Sequence, residues 1–241
     1  CLMPFQFTPE EFQAIQDDFL NAWPIERLKA MTLEEYSNRD KTSFTYWLEF
    51  KSRWTGSIRG GSSLKFLVYN RSERSDVPPK KSWSTNGVYA WQTSLGQSQE
   101  EVFQVVKVEV LKLVAAGQAM DFEAIESSKL FGSAVKWKIA AMYNSERIFQ
   151  VFNLGVANDM LSALDDQGED FQHALSLSEA QQRLSEHKSA ETSALHFLHG
   201  VYKMLEAQQN AKFEGAHSSL IDAHPELDLL DPRLGSPWLS A

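Results

Sequence analysis

The residues with the most chemical potential lie in GSIRGGSS, at 56–63, with glycines at 56, 60 and 61, serines at 57, 62 and 63, and Arg59 among them. Glycine tolerates positive φ, so such a run lets successive backbone N–H groups converge on an anion. The same residues suit a hairpin turn with a glycine bulge between two strands. The stretch is not a Walker A loop, since no Gly-Lys-Ser/Thr ends it at the required spacing. It also lacks the G-x-G-x-x-G of a dinucleotide fingerprint and the G-x-S-x-G of a nucleophile elbow. Anion nest and hairpin turn both stay open.

Cations and aromatic rings alternate around this loop. Lys51, Arg53, Arg59, Lys65 and Arg71 are candidate phosphate contacts, and Trp54, Trp83 and Trp91 are candidate platforms for an unpaired or flipped base. The backbone of Gly60, Gly61 and Ser62 would approach the strand closely. Trp47, Trp54, Trp83 and Trp91 are four of the seven tryptophans. A core needs aromatics too, and about half of these rings are expected inside.

The charge is distributed to match. The chain has 23 Lys and Arg against 32 Asp and Glu, a net charge of −9. Residues 41–85 carry nine basic and three acidic side chains, whereas residues 1–40 carry three and eight and residues 86–241 carry 11 and 21. An acidic chain repels nucleic acid as a whole, but a local basic stripe still binds it.

Other chemistries find less support. His196 and His199 share a helix face at i, i+3, but a metal needs a third ligand, for which only Glu191 or a distant residue is at hand. The acidic pairs Glu100/Glu101, Asp165/Asp166 and Glu169/Asp170 fall at helix caps or in loops, where dipole and solvation roles suffice. Lys136 and Lys138 could extend a binding surface, but with Trp137 between them anchoring its helix to a sheet, core packing is the preferred reading of this helix. No catalytic residue, metal ligand or cofactor is assigned.

These residues need elements to position them. Thr8, Pro9, Glu10 and Glu11 form a capping box with proline at the first helical position, and Phe12, Ile15, Phe19 and Leu20 continue at helical spacing, which predicts a helix over 9–22. A second capping box at Thr32 and Glu35 starts a shorter segment. From Ser43 the pattern becomes alternating: Phe44, Tyr46, Leu48 and Phe50 predict a half-buried strand, Leu64, Phe66 and Val68 a second, and the run from Gly87 a third. A turn-rich basic loop with Pro78, Pro79, Lys80 and Lys81 precedes the third.

Ser98 and Glu101 open a long helix, apolar at Val102, Val105, Val106, Val110, Leu111 and Val114 and expected to stop at Gly117. Further helices are expected at 121–129, 133–144, 178–188 and 190–209. The fold class is therefore α+β: a small aromatic-rich antiparallel sheet, flanked by N-terminal helices and followed by a helical half. Residues 1–97 hold the first helices and the sheet, residues 98–215 a helical part packed on it as one continuous domain, and residues 216–241 an irregular tail. No apolar run approaches the ~18 residues of a membrane span. The single cysteine, Cys1, fits a reducing, cytoplasmic setting and reads as a fragment boundary rather than a lipidated residue.

Three phrases in order carry a resemblance: TLEEYSNRDKTSFTYWLEFKSRWTGSIRGGSSLKFLVYNR from Thr32, GVYAWQTSLGQSQEEVFQVVK from Gly87, and FEAIESSKLFGSAVKWKIAAMY from Phe122. Over residues 32–152 the chain resembles the N-terminal region of McrB-type AAA+ ATPases of bacterial restriction and phage-defence systems. It departs from that pattern in having Arg59 where the family loop often has an aromatic, and in having no Walker A or Walker B motif. The resemblance therefore implies target recognition without ATP hydrolysis by this chain. DNA, modified DNA included, is the implied partner, with an AAA+ motor domain or subunit in cis or in trans and no membrane. The competing expectation is a protein-interaction or assembly module whose acidic helices after Ser98 dock a partner without DNA contact. An enzyme with a divergent site is a third, more remote reading.

Overall fold

Side-chain caps start the first helices where the sequence expects them. In the computed structural model, which describes residues 8–60, 63–71, 81–164 and 175–223, Thr8 and Glu11 exchange the two bonds of a capping box at the head of α1 (Pro9–Ala22). Phe12, Gln16 and Phe19 of α1 are buried. After α2 (Ile25–Ala30), the second capping box opens α3 (Leu33–Tyr36).

The next segment overturns an expectation. Instead of a strand, Ser43 caps the short helix α4 (Phe44–Tyr46), which runs straight into a π-helical turn, Trp47–Lys51. Alternation and helical spacing agree here on Phe44 and Leu48, which are four apart and both buried. Burial decides between them: Phe44 joins Phe19, Trp23 and Tyr36 in an aromatic cluster with ring centroids 5.5–6.2 Å apart. Ser52 ends the wide turn, its N–H donating to the Trp47 carbonyl at 2.9 Å and its hydroxyl to the Trp47 and Leu48 carbonyls at 3.0 Å. Tertiary packing thus overrides the strand propensity of these aromatics.

The sheet is smaller than expected and built from different residues. A 3-10 turn (Ser63–Phe66) and Leu67, with φ of 68°, precede β1 (Val68–Asn70), so only the end of the second expected strand is extended. β2 (Trp83–Thr85) falls where a loop was expected, and β3 (Tyr89–Gln92) pairs antiparallel with both, giving the order β1-β3-β2. Asn86 and Gly87 close the β2–β3 hairpin; the Asn86 side chain accepts from the Val88 and Tyr89 N–H groups, and Gly87 has φ of 91°. Asn-Gly is the strongest short-range hairpin signal a sequence carries.

The helical half packs around α5 (Gln99–Ala119), which lies against β1 and β3 and against α7 (Ser133–Met142). Val102, Phe103, Val106, Val110, Leu113 and Val114 face inward, whereas Val105 faces out. The helix does not stop at Gly117. It ends at Met120, in the left-handed conformation, and Gly117 instead lets α7 approach. A β-carbon at Gly117 would lie 2.6 Å from the Ala140 carbonyl oxygen.

Also present are α6 (Phe122–Ser127), α8 (Leu154–Leu164), α9 (Leu177–His187) and α10 (Ala194–Ala223). α8 is additional to the expected helices. α10 runs beyond position 216, and residues 224–241 of the expected tail lie outside the described residues. One apolar core connects Phe19 on α1 with Leu205 on α10, so the architecture is α+β around a single core. Among the described residues, no helix is long and apolar enough to cross a membrane.

Two predictions follow from this packing. Replacing Gly117 by valine forces side chain against backbone, and should lower stability in urea by about 1–3 kcal/mol through overpacking. The second concerns Tyr36 and Tyr143, whose hydroxyls donate to the buried carbonyls of Phe66 and Trp23 at 2.9 and 2.7 Å. Burial pushes both phenols above their ordinary value of 10.0. The unfolded phenols lose their protons above that value while the native ones keep theirs, so stability is lost as pH rises. Above pH 10 the unfolding free energy from urea titration should fall, by about 1.4 kcal/mol per pH unit for each tyrosine.

Candidate functional site

A tightly held polar group among the described residues is Lys138, on α7. It is fully buried, and its Nζ donates to the carbonyls of Ser52, Thr55 and Gly56 and to the Thr55 hydroxyl at 2.5–2.9 Å. Carbonyls only accept, and the Thr55 hydroxyl spends its own proton on the Ser52 carbonyl. Three N–H donors match this cage, which the ammonium has and the neutral amine lacks. Burial acts in the opposite direction and draws the amine well below the ordinary lysine range. The cage geometry is that of a protonated lysine. Of the two readings of this helix, core packing therefore holds for Lys138 and a binding surface does not.

Lys136 is also inside, donating to the Glu126 carbonyl at 2.5 Å. Trp137 between them anchors α7 to α6 rather than to the sheet: its ring meets Phe122 at 5.5 Å and its N–H donates to the Glu126 carboxylate at 2.8 Å.

The turn held by Lys138 is clamped from its other side. Gly56 has φ of 83°, and a β-carbon there would lie 2.4 Å from the Phe152 ring and 2.8 Å from the Gln150 carbonyl. Only glycine fits this position, in space and in backbone angle. Gln150 is itself fixed by a 2.9 Å bond to Gln16 of α1. Residues 52–56 are thus pressed between α7 and the buried segment 148–152. The loop that follows is not a hairpin between strands, because it joins the π turn to the 3-10 turn.

On the outside of this clamped turn, cations face aromatic rings. The Lys51 ammonium lies 5.8 Å from the Trp47 ring, the Arg53 guanidinium 4.4 Å from Trp54, and the Arg59 guanidinium 5.6 Å from Phe50. Phe50 is 37% exposed and stacks on Tyr46 with centroids 5.0 Å apart. Lys51 and Arg59 are exposed, and Arg53 and Trp54 half-buried. Among the described residues, no carboxylate pairs with Lys51, Arg53 or Arg59.

The structure divides the sequence-derived site residues into three groups. Lys51, Arg53, Trp54, Arg59 and Gly60 come together on this turn, while Gly61 and Ser62 lie outside the described residues. Lys65 belongs to the interior of the loop: it pairs with Glu49 at 2.6 Å and donates to the Ile58 and Gly60 carbonyls at 2.7 and 3.2 Å. Its charge is already used, which removes it as a phosphate contact. On the sheet, Arg71 donates to the Thr85 hydroxyl at 3.2 Å and Trp83 packs on Tyr69 at 5.7 Å. Trp91 is 7% exposed and forms part of the core, so it offers no stacking face.

Trp47 and Phe50 were missed as site residues, because strand alternation hid the i, i+4 pairs Trp47/Lys51 and Tyr46/Phe50 that a helical turn creates. Lys138 had a visible signal: it sits in AVKWKIAA, where a helix with apolar residues on every side leaves a lysine no route to water.

Other polar clusters are internally satisfied. His196 shares a hydrogen bond with Ser193 at 2.9 Å and lies 3.9 Å from Glu10, and no group of three or more His, Cys, Asp or Glu among the described residues could hold a metal. In the open cleft between α5 and α6, Ser128 donates to Glu109 at 2.5 Å and Lys112 lies 3.9 Å from the same carboxylate.

Replacing Lys138 by methionine should strip the cage and orphan buried acceptors at about 1–3 kcal/mol each. The expected loss in urea unfolding is on the order of 3 kcal/mol; a loss below about 1 kcal/mol would show that water or a rearranged turn replaces the ammonium.

Comparison of the chain with family models, curated proteins and solved structures finds no match.

Proposed function

We propose that this chain is a non-catalytic DNA-recognition module of a cytoplasmic, McrB-like restriction or phage-defence system, with its AAA+ motor carried in cis or in trans. The observation that carries the reading is the trio of cation–aromatic pairs on the outside of residues 47–59, whose cations have no carboxylate partner among the described residues. Cations in such a setting can meet phosphate, and a neighbouring aromatic surface is the usual companion of phosphate contacts in nucleic-acid sites. The turn beneath is braced by Lys138 and by the close fit of Gly56, so the patch is held in one pose before any ligand arrives, which lowers the ordering cost of binding. The resemblance over residues 32–152 supports the same reading and names the kind of system.

A second reading keeps the system but not the DNA. Val105 and Val108 on α5 are 41% and 51% exposed, and three residues apart they share one face of the helix. An assembly module would dock its partner there, and the basic turn would be ordinary surface.

Anisotropy of labelled DNA across a salt series separates the two. Three phosphate contacts predict that log K falls with log salt at a slope of about −2 to −3. Arg59→Glu should weaken binding to every sequence, by about tenfold or more, and flatten that slope. Unchanged binding would remove Arg59 from the interface. Absence of binding even at low salt would sink the DNA reading, and loss of partner association in Val105→Asp would then establish the assembly module.

A further inference from the structure

The outer face of α5 carries a pattern that its role in the core does not use. Val105, Val108, Lys112, Ala115 and Ala119 are all exposed, and steps of three and four residues alternate between them. On a helix this places them along one narrow stripe. The same alternation is the spacing of a coiled-coil seam, in which one helix packs along another. Among the described residues, the other exposed large apolar side chains, Phe50, Val88 and Met204, each stand elsewhere in the chain.

We infer that the occupant of this face is a second copy of the chain, with the two α5 helices packed antiparallel about a twofold axis between Val108 and Lys112. The inference names the partner for the face on which the assembly reading rests, and it does not depend on DNA binding.

The shape of the face is self-complementary. Its N-terminal half projects Val105 and Val108. Its C-terminal half borders an open cleft of about 550 Å³, lined by Ala115, Ala116 and Ala119 together with Ala124 and Ser127 of α6. Antiparallel packing sets Val105 of each copy opposite the partner's Ala115, so a projection meets a cleft twice. A twofold interface requires this reciprocity.

Charge fixes the direction. Lys112 is 71% exposed, and its ammonium lies 3.9 Å from Glu109, whose carboxylate edges the cleft. In the antiparallel pair the Lys112 stem covers the partner's Val108 and its ammonium reaches the partner's Glu109. Parallel packing would instead stack Lys112 on Lys112, and the exposed Glu100 and Glu101 on their own counterparts. With 21 residues in α5, the shared seam is about 30 Å long. One helix pair of that length buries less than the ~1,200 Å² of a standard interface, so the dimer is a weak one, with Kd on the order of 10 μM.

The test is the weight-average mass of the whole chain by sedimentation over about 1–300 μM, which should climb from one chain towards two. Val108→Asp, an exposed change with the fold checked by circular dichroism, should weaken self-association at least about tenfold. Lys112→Glu sets a carboxylate against the partner's Glu109 and should also weaken it by about tenfold. Disulfides in a Cys1→Ser background read the direction: Val105→Cys chains should cross-link to Ala115→Cys chains and not to one another. A chain that stays monomeric up to about 300 μM overturns the inference and leaves the assembly reading with a different partner. A dimer indifferent to both Val108→Asp and Lys112→Glu overturns it as well, and so does cross-linking of Val105→Cys chains to themselves.

Discussion

A buried ammonium does the organising at the candidate site. Lys138 projects from α7 into a turn that closes on itself only between the Thr55 N–H and the Ser52 carbonyl, at 3.1 Å, and it collects the carbonyls of Ser52, Thr55 and Gly56. Buried carbonyls must find donors, and in most turns the backbone or water supplies them. Here one side chain from a distant part of the sequence supplies a donor to all three, beside the two that Thr55 gives to the Ser52 carbonyl. That dependence runs both ways, because the ammonium tolerates burial only while its three N–H groups are satisfied. Turn and helix are therefore fixed together or not at all.

The consequences spread outward from this contact. Trp54 and Arg53 belong to the caged turn, so the position of α7 sets theirs. Ser52, which gives its carbonyl to Lys138, uses its hydroxyl and N–H to finish the π turn, and the π turn carries Trp47, Phe50 and Lys51. On the far side, Lys65 repeats the device in a more exposed setting, gathering the Ile58 and Gly60 carbonyls while Glu49 neutralises it. Two lysines that look alike in sequence to the binding cations are thus turned inward as fasteners. Among the described residues of this turn, Lys51, Arg53 and Arg59 are the cations left on its outer side.

How much of this was legible in the sequence follows from where the deciding interaction lies. Capping boxes at Thr8 and Thr32 are local, and the helices begin where those residues say. The amphipathic run of α5 was equally plain, although Gly117 misled: glycine is a common helix stop, yet here its missing side chain admits Ala140. The residues of the π turn read as a strand because alternation and helical spacing coincide on Phe44 and Leu48, and only the aromatic cluster around Phe44 breaks the tie. Hairpin β2–β3 was recoverable from Asn86-Gly87, a signal overshadowed by the basic loop before it. Lys65 and Trp91 could not be assigned inside or outside by composition alone, since each owes its place to partners elsewhere in the chain, such as Glu49 for Lys65 and Val68 for Trp91, whereas the all-apolar helix around Lys138 did mark that lysine as inside.

The division between inward and outward cations also accounts for the small size of the basic patch. A longer basic stripe would carry more affinity, but the chain as a whole is acidic and repels polyanions everywhere else. Cations gathered on one braced turn make attraction local, and the exposed carboxylates of α1, which packs against that turn, oppose any anionic ligand that overhangs it. Rejection of poorly fitting ligands by like charge sharpens discrimination without any added contact to the right one. A few rigidly placed cations beside aromatic rings, on a chain that is acidic overall, would therefore favour selectivity over strength for any anionic ligand held there.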